Sequence, residues 1–123
     1  MAKAALVTGG SSGIGFAIAR MLQEEGFELT LAARTREKLE AAAEELGALA
    51  VAADVSNEDD CRRIVDEHRE RHERLDLLVN SAGMGIAGPI DELATKQIDL
   101  QLDVNLRGTM LVTASALDRK SVV

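Results

Sequence analysis

A glycine-rich turn between an apolar run and a helical pattern constrains this chain more than any other feature. Residues 4–7 are apolar, residues 8–15 read Thr-Gly-Gly-Ser-Ser-Gly-Ile-Gly, and a helical pattern starts at Ile14. Glycines let a backbone turn sharply and approach a ligand where a Cβ would clash. The amides of the first helical turn lack partners within the helix, and together with the helix dipole they attract a pyrophosphate. The order of strand, glycine turn and helix therefore predicts a phosphate-binding site.

Strand and helix patterns alternate along the rest of the chain. Short apolar runs predict strands over residues 3–8, 27–33, 49–53 and 75–80. Helical spacing predicts helices over residues 14–25, 36–46, 56–74 and 95–117. Gly26 and Gly47 are expected to end the first two helices, and Ser56 to cap the third with Asp59 in a capping box. Parallel strands joined by right-handed crossovers predict an α/β fold, a doubly wound sheet with helices on both faces.

Two helices carry apolar residues at helical spacing, and these positions are expected to face the core. They are Ile14, Ala17, Ile18, Met21 and Leu22 in the first helix, and Ile98, Leu102, Leu106, Met110 and Ala114 in the last.

In a doubly wound sheet of six strands with the order 3-2-1-4-5-6, the fourth strand is internal. Here it would instead be an edge with unpaired amides.

Composition excludes several classes of partner. A chain of 123 residues is one domain or part of one, and its net charge of −7 argues against nucleic acid. No apolar run approaches the roughly 20 residues that span a bilayer, and no signal-peptide pattern opens the chain. The lone Cys61 suits a reducing compartment, and its helical context favours packing or surface exposure over nucleophilic chemistry. These features predict a cytoplasmic protein with no nucleic-acid or membrane partner.

The glycine spacing points to a particular family. The pattern G-x-G-x-x-G fails because Ile18 stands where its third glycine would be, and the spacing is instead T-G-x-x-x-G-x-G. This spacing resembles the signature of the short-chain dehydrogenase/reductase family, over residues 3 to about 117. The resemblance implies a Rossmann-type doubly wound parallel sheet, truncated after about four strands. It also implies that the turn binds a nicotinamide dinucleotide through Thr8, Gly9, Ser11, Ser12, Gly13, Ile14 and Gly15.

The residues after the second and third strands match positions where the family binds the adenosine half of its cofactor. After the second strand, Arg34 stands where an NAD-selective site has a carboxylate. A guanidinium can pair bidentately with a 2′-phosphate, which favours NADP over NAD. The alternative is a helix-start arginine facing water, and Ser12 stands where some NADP-dependent members carry a second basic residue. The resemblance further implies that Asp54 and the amide of Val55 contact adenine; the alternative is a carboxylate near a helix start.

Two further segments match the family at the expected distances. Asn80-Ser81-Ala82-Gly83 resembles the family's N-N-A-G at the end of the fourth strand, with serine in place of the second asparagine. There Asn80 would bridge loops, and the small residues Ala82 and Gly83 would let the backbone pass close to the cofactor ribose. Asn105 matches the asparagine of the family's Asn-Ser-Tyr-Lys tetrad. It would bend its helix and hold a water that relays protons, a role consistent with a polar amide inside a helix.

The remaining members of the tetrad are not in this chain, which contains no tyrosine. In the family a tyrosine acts as general acid and base, and a lysine lowers its pKa. The resemblance therefore implies the N-terminal part of an NADP-dependent oxidoreductase that transfers hydride between nicotinamide and a carbonyl or alcohol. Residues 1–123 alone are expected to be inactive, and the full-length parent is expected to be a homo-oligomer with a small-molecule substrate. The alternative is a dinucleotide-binding module without chemistry.

Two other features have weaker signals. His68 and His72 lie four residues apart, a geometry that can bind zinc, but Arg69 stands where H-E-x-x-H needs glutamate and no third ligand is evident. We interpret them as part of a solvated helix face and predict no metal site. We assign residues 1–117 to an incomplete NAD(P)-binding domain. The apolar pattern of its last helix does not continue into residues 118–123. A common sequencing-adapter string encodes the same six residues plus a stop, so we predict a non-native tail; the rival is a natural short paralogue.

Overall fold

The computed structural model describes residues 2–85 and 88–117, and its centre is a parallel sheet. In the described residues the sheet has four strands in the order β3-β2-β1-β4. Their bounds are β1, Ala4–Thr8; β2, Glu28–Ala33; β3, Leu49–Ala52; and β4, Leu77–Asn80. The predicted parallel α/β sheet is confirmed, with strand ends within two residues of the predicted ones. Because β2 and β3 lie on one side of β1 and β4 on the other, the chain reverses direction across the sheet at β1, where a crevice opens.

Helices cover both faces of this sheet. They are α1, Gly13–Glu24; α2, Arg36–Leu46; α3, Glu58–His72; α4, Thr95–Leu102; and α5, Thr109–Leu117. A 3₁₀ turn, Ile90–Glu92, precedes α4, and a π-helical segment, Asp103–Gly108, joins α4 to α5 without a break. The helices α1 and α2 pack on one face, whereas α3 and α5 pack on the other. The layout is the doubly wound arrangement that the alternating pattern predicts.

Side chains of β1 divide the core into two clusters. Ala5 and Val7 face α1 and α2, and Leu6 faces α3 and α5, because successive strand residues point to opposite faces. With aromatics at only 2% of the chain, both clusters consist mainly of alanine, valine, leucine and isoleucine.

The apolar face predicted for α1 is wrong in part. Ile14 and Met21 are 76% and 63% exposed, while the buried residues of α1 are Gly15 and Ala19. Gly15 is buried because its backbone presses directly on the preceding turn. That contact, rather than the bulk of the isoleucine and methionine, determines which side of α1 faces inward.

The predicted single helix over residues 95–117 contains a π-helical segment, and its inward face differs from the predicted one. Leu102, Leu106 and Met110 are each more than half exposed. The buried residues are Val104, Gly108 and Val112, which pack on the β3–α3 loop and on α3. A π turn holds an extra residue, so the face that meets the core shifts along the segment.

The predicted capping of α3 by Ser56 is also wrong. Asn57 is the N-cap, and its Oδ1 accepts a hydrogen bond of 2.9 Å from the amide of Asp60. The Ser56 hydroxyl instead donates to the carboxylate of Asp54 at 2.8 Å. Both residues are good caps, and the Asp54 carboxylate draws Ser56 away from the helix end.

The two histidines of α3 are not solvated, contrary to the sequence-based interpretation. His68 is fully buried, with Nδ1 2.7 Å from Thr30 Oγ1 and Nε2 2.9 Å from the Arg74 carbonyl. The side chain of His72 is 7% exposed and contacts Glu28 and the Leu29 carbonyl. Both rings lie on the inward side of α3 because they continue the buried row of Cys61, Ile64 and Val65.

Among the helices in the described parts of the chain, none combines the length and apolarity needed to cross a bilayer. The predicted non-native tail, residues 118–123, lies outside the described residues. So do two residues of the predicted loop after β4, at positions 86 and 87.

Candidate functional site

A cleft of about 390 Å³ opens at the carboxyl ends of the strands, where the chain reverses across the sheet. Most of the predicted contact residues line it: Gly9, Ser11, Ser12, Ile14, Gly15, Arg34, Asp54, Val55, Ala82 and Gly83. It is also lined by six residues outside the predicted contact set: Ala32, Ala33, Ala53, Ser81, Met84 and Val104. Ala33, Ala53 and Ser81 directly adjoin predicted residues, so their position at strand ends was a usable signal.

The glycine turn is packed too tightly for any side chain at two of its positions. A Cβ on Gly15 would lie 2.1 Å from the carbonyl oxygen of Gly9. A Cβ on Gly9, whose φ is 66°, would lie 2.7 Å from the backbone of Ser81 and Ala82. The turn therefore lies directly against the loop after β4, and the two together form one wall of the cleft.

The start of α1 offers its backbone donors to this cleft. Ser12 is the N-cap residue, but its side chain makes no capping hydrogen bond, and it lines the cleft together with Ile14. First-turn amides have no acceptors within their own helix. An anionic group in the cleft would satisfy them and would also interact favourably with the helix dipole.

Three predicted contact residues do not line the cleft. Thr8 is buried beneath it, and its Oγ1 accepts hydrogen bonds of 3.2 Å from the amides of Ser81 and Ala82. Gly13 supplies a positive φ of 57° at the start of α1. Asn80 donates from Nδ2 to the hydroxyl of Thr113 at 3.1 Å, which ties the end of β4 to α5. Thr8 thus binds the start of the loop after β4, whereas Asn80 connects β4 to α5; the bridging of loops predicted for Asn80 stays a prediction.

The loop after β3 satisfies nearly all of its own backbone groups. Across residues 54–56, the amides of Asp54 and Ser56 and the carbonyls of all three residues have partners in the protein. The acceptors and donors involved are Asp60 Oδ2, Asp54 Oδ1, the Asn57 amide, the Cys61 thiol and the Arg107 guanidinium. Within the described residues, the amide of Val55 is the exception, and Val55 lines the cleft. A backbone donor without a protein partner, in a residue that lines the cleft, suits an acceptor on a ligand.

The carboxylate of Asp54 is held ionised at the same place. Burial alone would raise its pKa, but hydrogen bonds from the Ser56 amide and hydroxyl and the nearby charge of Arg34 outweigh it. The pKa of Asp54 is therefore lower than usual. Ser56 contacts Oδ1 in both hydrogen bonds, at 2.9 and 2.8 Å. Asp54 thus enters the cleft wall as an anion with accepting capacity left over.

Asn105 lies in the π-helical segment and uses its amide group on the loop after β4. Its Oδ1 accepts from the Met84 amide at 2.8 Å, and its Nδ2 donates to the Met84 carbonyl at 2.7 Å. Gly83 lies close by, since a Cβ there would be 3.3 Å from Asn105 Oδ1. The side chain of Asn105 therefore fixes the wall in which Gly83 and Met84 lie.

Neither the cysteine nor the histidines supply chemistry to the cleft. Cys61 is fully buried and donates from Sγ to the Val55 carbonyl, and burial raises the pKa of its thiol. Of the two positions predicted for Cys61, packing or surface exposure, the structure shows packing. Among the residues that the structure describes, no group of three or more potential metal ligands comes together.

Comparison with known proteins identifies the family of this chain. Residues 3–121 match the sequence family described as short chain dehydrogenase. The chain belongs to this family. It is 36% identical over 118 residues to an uncharacterised oxidoreductase of Staphylococcus aureus. The aligned region covers 94% of this chain and 51% of that protein.

Solved structures agree with the family. An actinorhodin polyketide ketoreductase variant solved with NADPH matches at a TM-score of 0.92 and 35% identity, over 95% of this chain and 47% of that one. A short chain dehydrogenase from Burkholderia cenocepacia solved with NADP matches at a TM-score of 0.89 and 37% identity. That match covers 93% of this chain and 49% of that one. The present chain thus spans about half the length of the relatives it matches.

Proposed function

We propose that residues 1–117 form the NADP-binding part of a short-chain oxidoreductase that transfers hydride between nicotinamide and a carbonyl or alcohol. The observation that carries the proposal is one cleft that combines the unpartnered Val55 amide, the first-turn amides of α1 and the guanidinium of Arg34. These groups would serve as donors to a ring, a pyrophosphate and a further phosphate. A nicotinamide dinucleotide carrying a 2′-phosphate has acceptors of these three kinds.

The residues present fit such a cofactor. The Val55 amide and the Asp54 carboxylate would recognise adenine, with the amide donating to a ring nitrogen and the carboxylate accepting from the exocyclic amine. The glycine turn, which has no room for a Cβ at Gly9 or Gly15, would bind the pyrophosphate. Gly83 and Met84, positioned by Asn105, would border the nicotinamide ribose.

Arg34 supports NADP over NAD. It is exposed in the wall of the cleft, close enough to Asp54 for its charge to influence that carboxylate. A bidentate contact with a 2′-phosphate contributes on the order of 1.5–3 kcal/mol, which is about tenfold or more in affinity. The relatives solved with NADPH and NADP are consistent with this choice.

Titration of the chain with NADPH and NADH tests the cofactor assignment. We expect at least about tenfold tighter binding of NADPH, and we expect Arg34→Ala to remove most of that preference. Arg36→Ala is a matched control, because Arg36 is also exposed and pairs with Glu40 at 3.4 Å on α2, outside the cleft lining. Equal affinities for the two cofactors in the unsubstituted chain of residues 1–123, or a preference that survives Arg34→Ala, would contradict the assignment.

The chemistry of the bound group defines what the rest of the protein has to add. When bound, the nicotinamide ring supplies or accepts the hydride, and a carbonyl substrate additionally needs a proton at its oxygen. The sequence holds no tyrosine, so the family's proton donor would come from the part of the full-length protein beyond this half. The substrate and the expected homo-oligomeric assembly belong to that whole protein.

We therefore expect residues 1–123 to show no NADPH oxidation over a panel of ketones and aldehydes. The matched comparison is a chain in which the missing half of a relative is joined after residue 117, and this chain should restore turnover. An NADPH-dependent rate that scales with the concentration of residues 1–123 and disappears with Gly13→Asp would show the expectation to be wrong.

A non-catalytic dinucleotide-binding module is the second candidate. The absence of tyrosine favours it, since Asn105 is the one tetrad residue that the resemblance carries onto this sequence. The coding DNA after codon 123 distinguishes the two functions. A downstream serine and Y-x-x-x-K at the family's spacing, in any frame, would indicate an enzyme, whereas their absence would leave the binding module.

A further inference from the structure

We propose that Arg107 is a positioning residue that holds the adenine-binding loop, residues 54–56, in its ligand-ready conformation. The inference rests on the proposed function and extends it to a residue outside the cleft. Arg107 lies in the π-helical segment and donates from Nη1 to the Ser56 carbonyl at 3.0 Å. It does not line the cleft, so its action there would pass through the loop.

The source of each hydrogen bond in the loop makes Arg107 distinct. The other partners of the loop backbone are residues of the loop itself or of the adjoining start of α3. Among the described residues, Arg107 is the one partner contributed by a distant part of the chain, 51 positions away from Ser56. Local contacts can shape a loop, but a contact of long range is needed to fix it against the opposite wall.

The π-helical segment also touches the loop next to Arg107. A Cβ on Gly108 would lie 2.7 Å from the Val55 carbonyl oxygen, so the two backbones are in direct contact. Val104 of the same segment lines the cleft, and Asn105 binds the Met84 backbone on the other wall. The π-helical segment therefore connects the adenine-binding loop to the loop after β4.

The side chain of Arg107 suits a positioning role better than a role in stability. It is exposed, and a single hydrogen bond at an exposed position contributes little to the free energy of unfolding. Its loss is expected to leave the fold intact while the Ser56 carbonyl becomes free to turn toward water. Because Ser56 donates its amide and hydroxyl to Asp54 Oδ1, a change in the position of Ser56 would shift the Asp54 carboxylate away from the geometry that adenine requires.

The test compares Arg107→Met with Arg107→Lys and with the control Arg62→Met. Arg62 is also exposed, and its ion pairs are with Glu58 and Asp59 on the surface of α3. We expect Arg107→Met to weaken binding of NADPH and of adenosine 2′,5′-bisphosphate by about fivefold, with partial recovery in Arg107→Lys and no change in Arg62→Met. Combined with Asp54→Asn, the losses should not add, because Arg107 acts through the same loop.

Amide hydrogen exchange in the ligand-free chain separates this inference from the proposed function. The Ser56 amide donates to Asp54 Oδ1 at 2.9 Å, and it should exchange at least about fivefold faster in Arg107→Met. If the unsubstituted chain binds no NADPH, but the Ser56 amide exchanges faster in Arg107→Met, the proposed function fails and the positioning role of Arg107 holds. Unchanged exchange at Ser56, or binding losses that add to those of Asp54→Asn, would overturn the role of Arg107.

Discussion

At the scale of single residues, the buried His68 is the group whose chemistry departs furthest from its ordinary behaviour. The Arg74 carbonyl can only accept, so Nε2 carries the proton, and Thr30 then donates its hydroxyl to Nδ1. This pairing satisfies a neutral ring completely. Burial, followed by the neighbouring His72, lowers the pKa of His68 to about 4. The fold therefore keeps His68 uncharged throughout the neutral range.

This pKa predicts that the chain loses stability in mild acid. In the unfolded chain His68 takes up a proton as pH falls through about 6.5, whereas the folded chain resists protonation until about pH 4. The unfolded state then binds more protons, so stability is complete above pH 6.5 and falls below it. We expect a loss of about 2 kcal/mol in the free energy of unfolding between pH 7 and pH 5 from His68 alone.

Urea unfolding of the parent chain and of His68→Gln at both pH values measures this effect. Glutamine is uncharged and can still hydrogen-bond, so the variant should lack most of the pH dependence even if it is less stable at pH 7. An equal loss of stability in both chains would show that His68 does not titrate as proposed. A ring titration followed by NMR gives the pKa of His68 independently.

The error made for these histidines from sequence has a definite cause. Charged neighbours such as Asp66, Glu70 and Arg71 suggested a solvated face, and they are indeed exposed. The better signal was spacing, because Cys61, His68 and His72 fall at helical intervals on one side of α3. A histidine on the apolar face of a helix is buried where the fold supplies hydrogen-bond partners for its ring. The partners of His68 are Thr30, which is 38 positions away, and the Arg74 carbonyl, and the local sequence pattern indicates neither contact.

At the scale of secondary-structure elements, the π-helical segment has the largest effect on the site. The Gly108 backbone touches the Val55 carbonyl, and the segment cannot move inward or carry a side chain there. Most strand and helix bounds followed from periodicity and glycine positions in the sequence. The π segment did not, because one extra residue in a turn depends on contacts with the β3–α3 loop and leaves no period to detect.

We predict that Gly108→Ala destabilises the chain despite the higher helix propensity of alanine. Propensity favours the variant by up to about 1 kcal/mol, but a Cβ 2.7 Å from a backbone oxygen forces α5 or the loop to shift. Overpacking of this kind costs about 1–3 kcal/mol, so we expect a net loss and weaker NADPH binding. Thermal unfolding and cofactor titration measure the two effects.

Gly85→Ala is the matched control for this substitution. A Cβ on Gly85 would meet no atom within 4 Å, and its φ is not in the positive range. Its melting temperature should stay close to that of the parent chain. A Gly108→Ala chain as stable as this control would show that the contact with Val55 imposes no constraint.

At the scale of the whole molecule, apolar surface remains uncovered on one side. Leu102, Leu106 and Met110 are 52%, 56% and 63% exposed on the α4–α5 side. The outer edge of β4 has no strand partner among the described residues, and Leu77 in it is 37% exposed. Exposed apolar side chains and an open sheet edge both favour association with other chains.

We therefore predict that residues 1–123 self-associate at micromolar concentrations. The double variant Leu106→Glu with Met110→Glu should weaken association by tenfold or more in sedimentation equilibrium, because two charges would be buried at the contact. Met21→Glu is the control, since Met21 is similarly exposed but lies on α1 on the opposite face of the sheet. A parent chain that is monomeric at these concentrations would be inconsistent with the prediction.

The candidate site was largely predictable because its residues follow strand ends and a glycine turn. Arg34, Asp54 and Gly83 lie in the cleft since carboxyl ends of parallel strands converge on one edge. The contacts of Thr8 with the loop after β4, of Asn80 with α5 and of Arg107 with the Ser56 carbonyl depend on distances across the fold. Sequence spacing brings such residues to the right region without showing which of them point into the cleft.

The pairing of β1 with strands on both of its sides determines the order in which the sheet can assemble. Ala5 pairs with Leu29 at a separation of 24 positions, but with Leu77 at a separation of 72. The entropy lost on closing a loop grows with loop length, and long-range contacts form slowly. The β1–β2 ladder can thus form early during synthesis, whereas the far side of β1 stays open until residue 80 has left the ribosome. Asp76, whose carboxylate accepts from the Ala4 amide at 2.8 Å, then helps to hold β4 in register with β1.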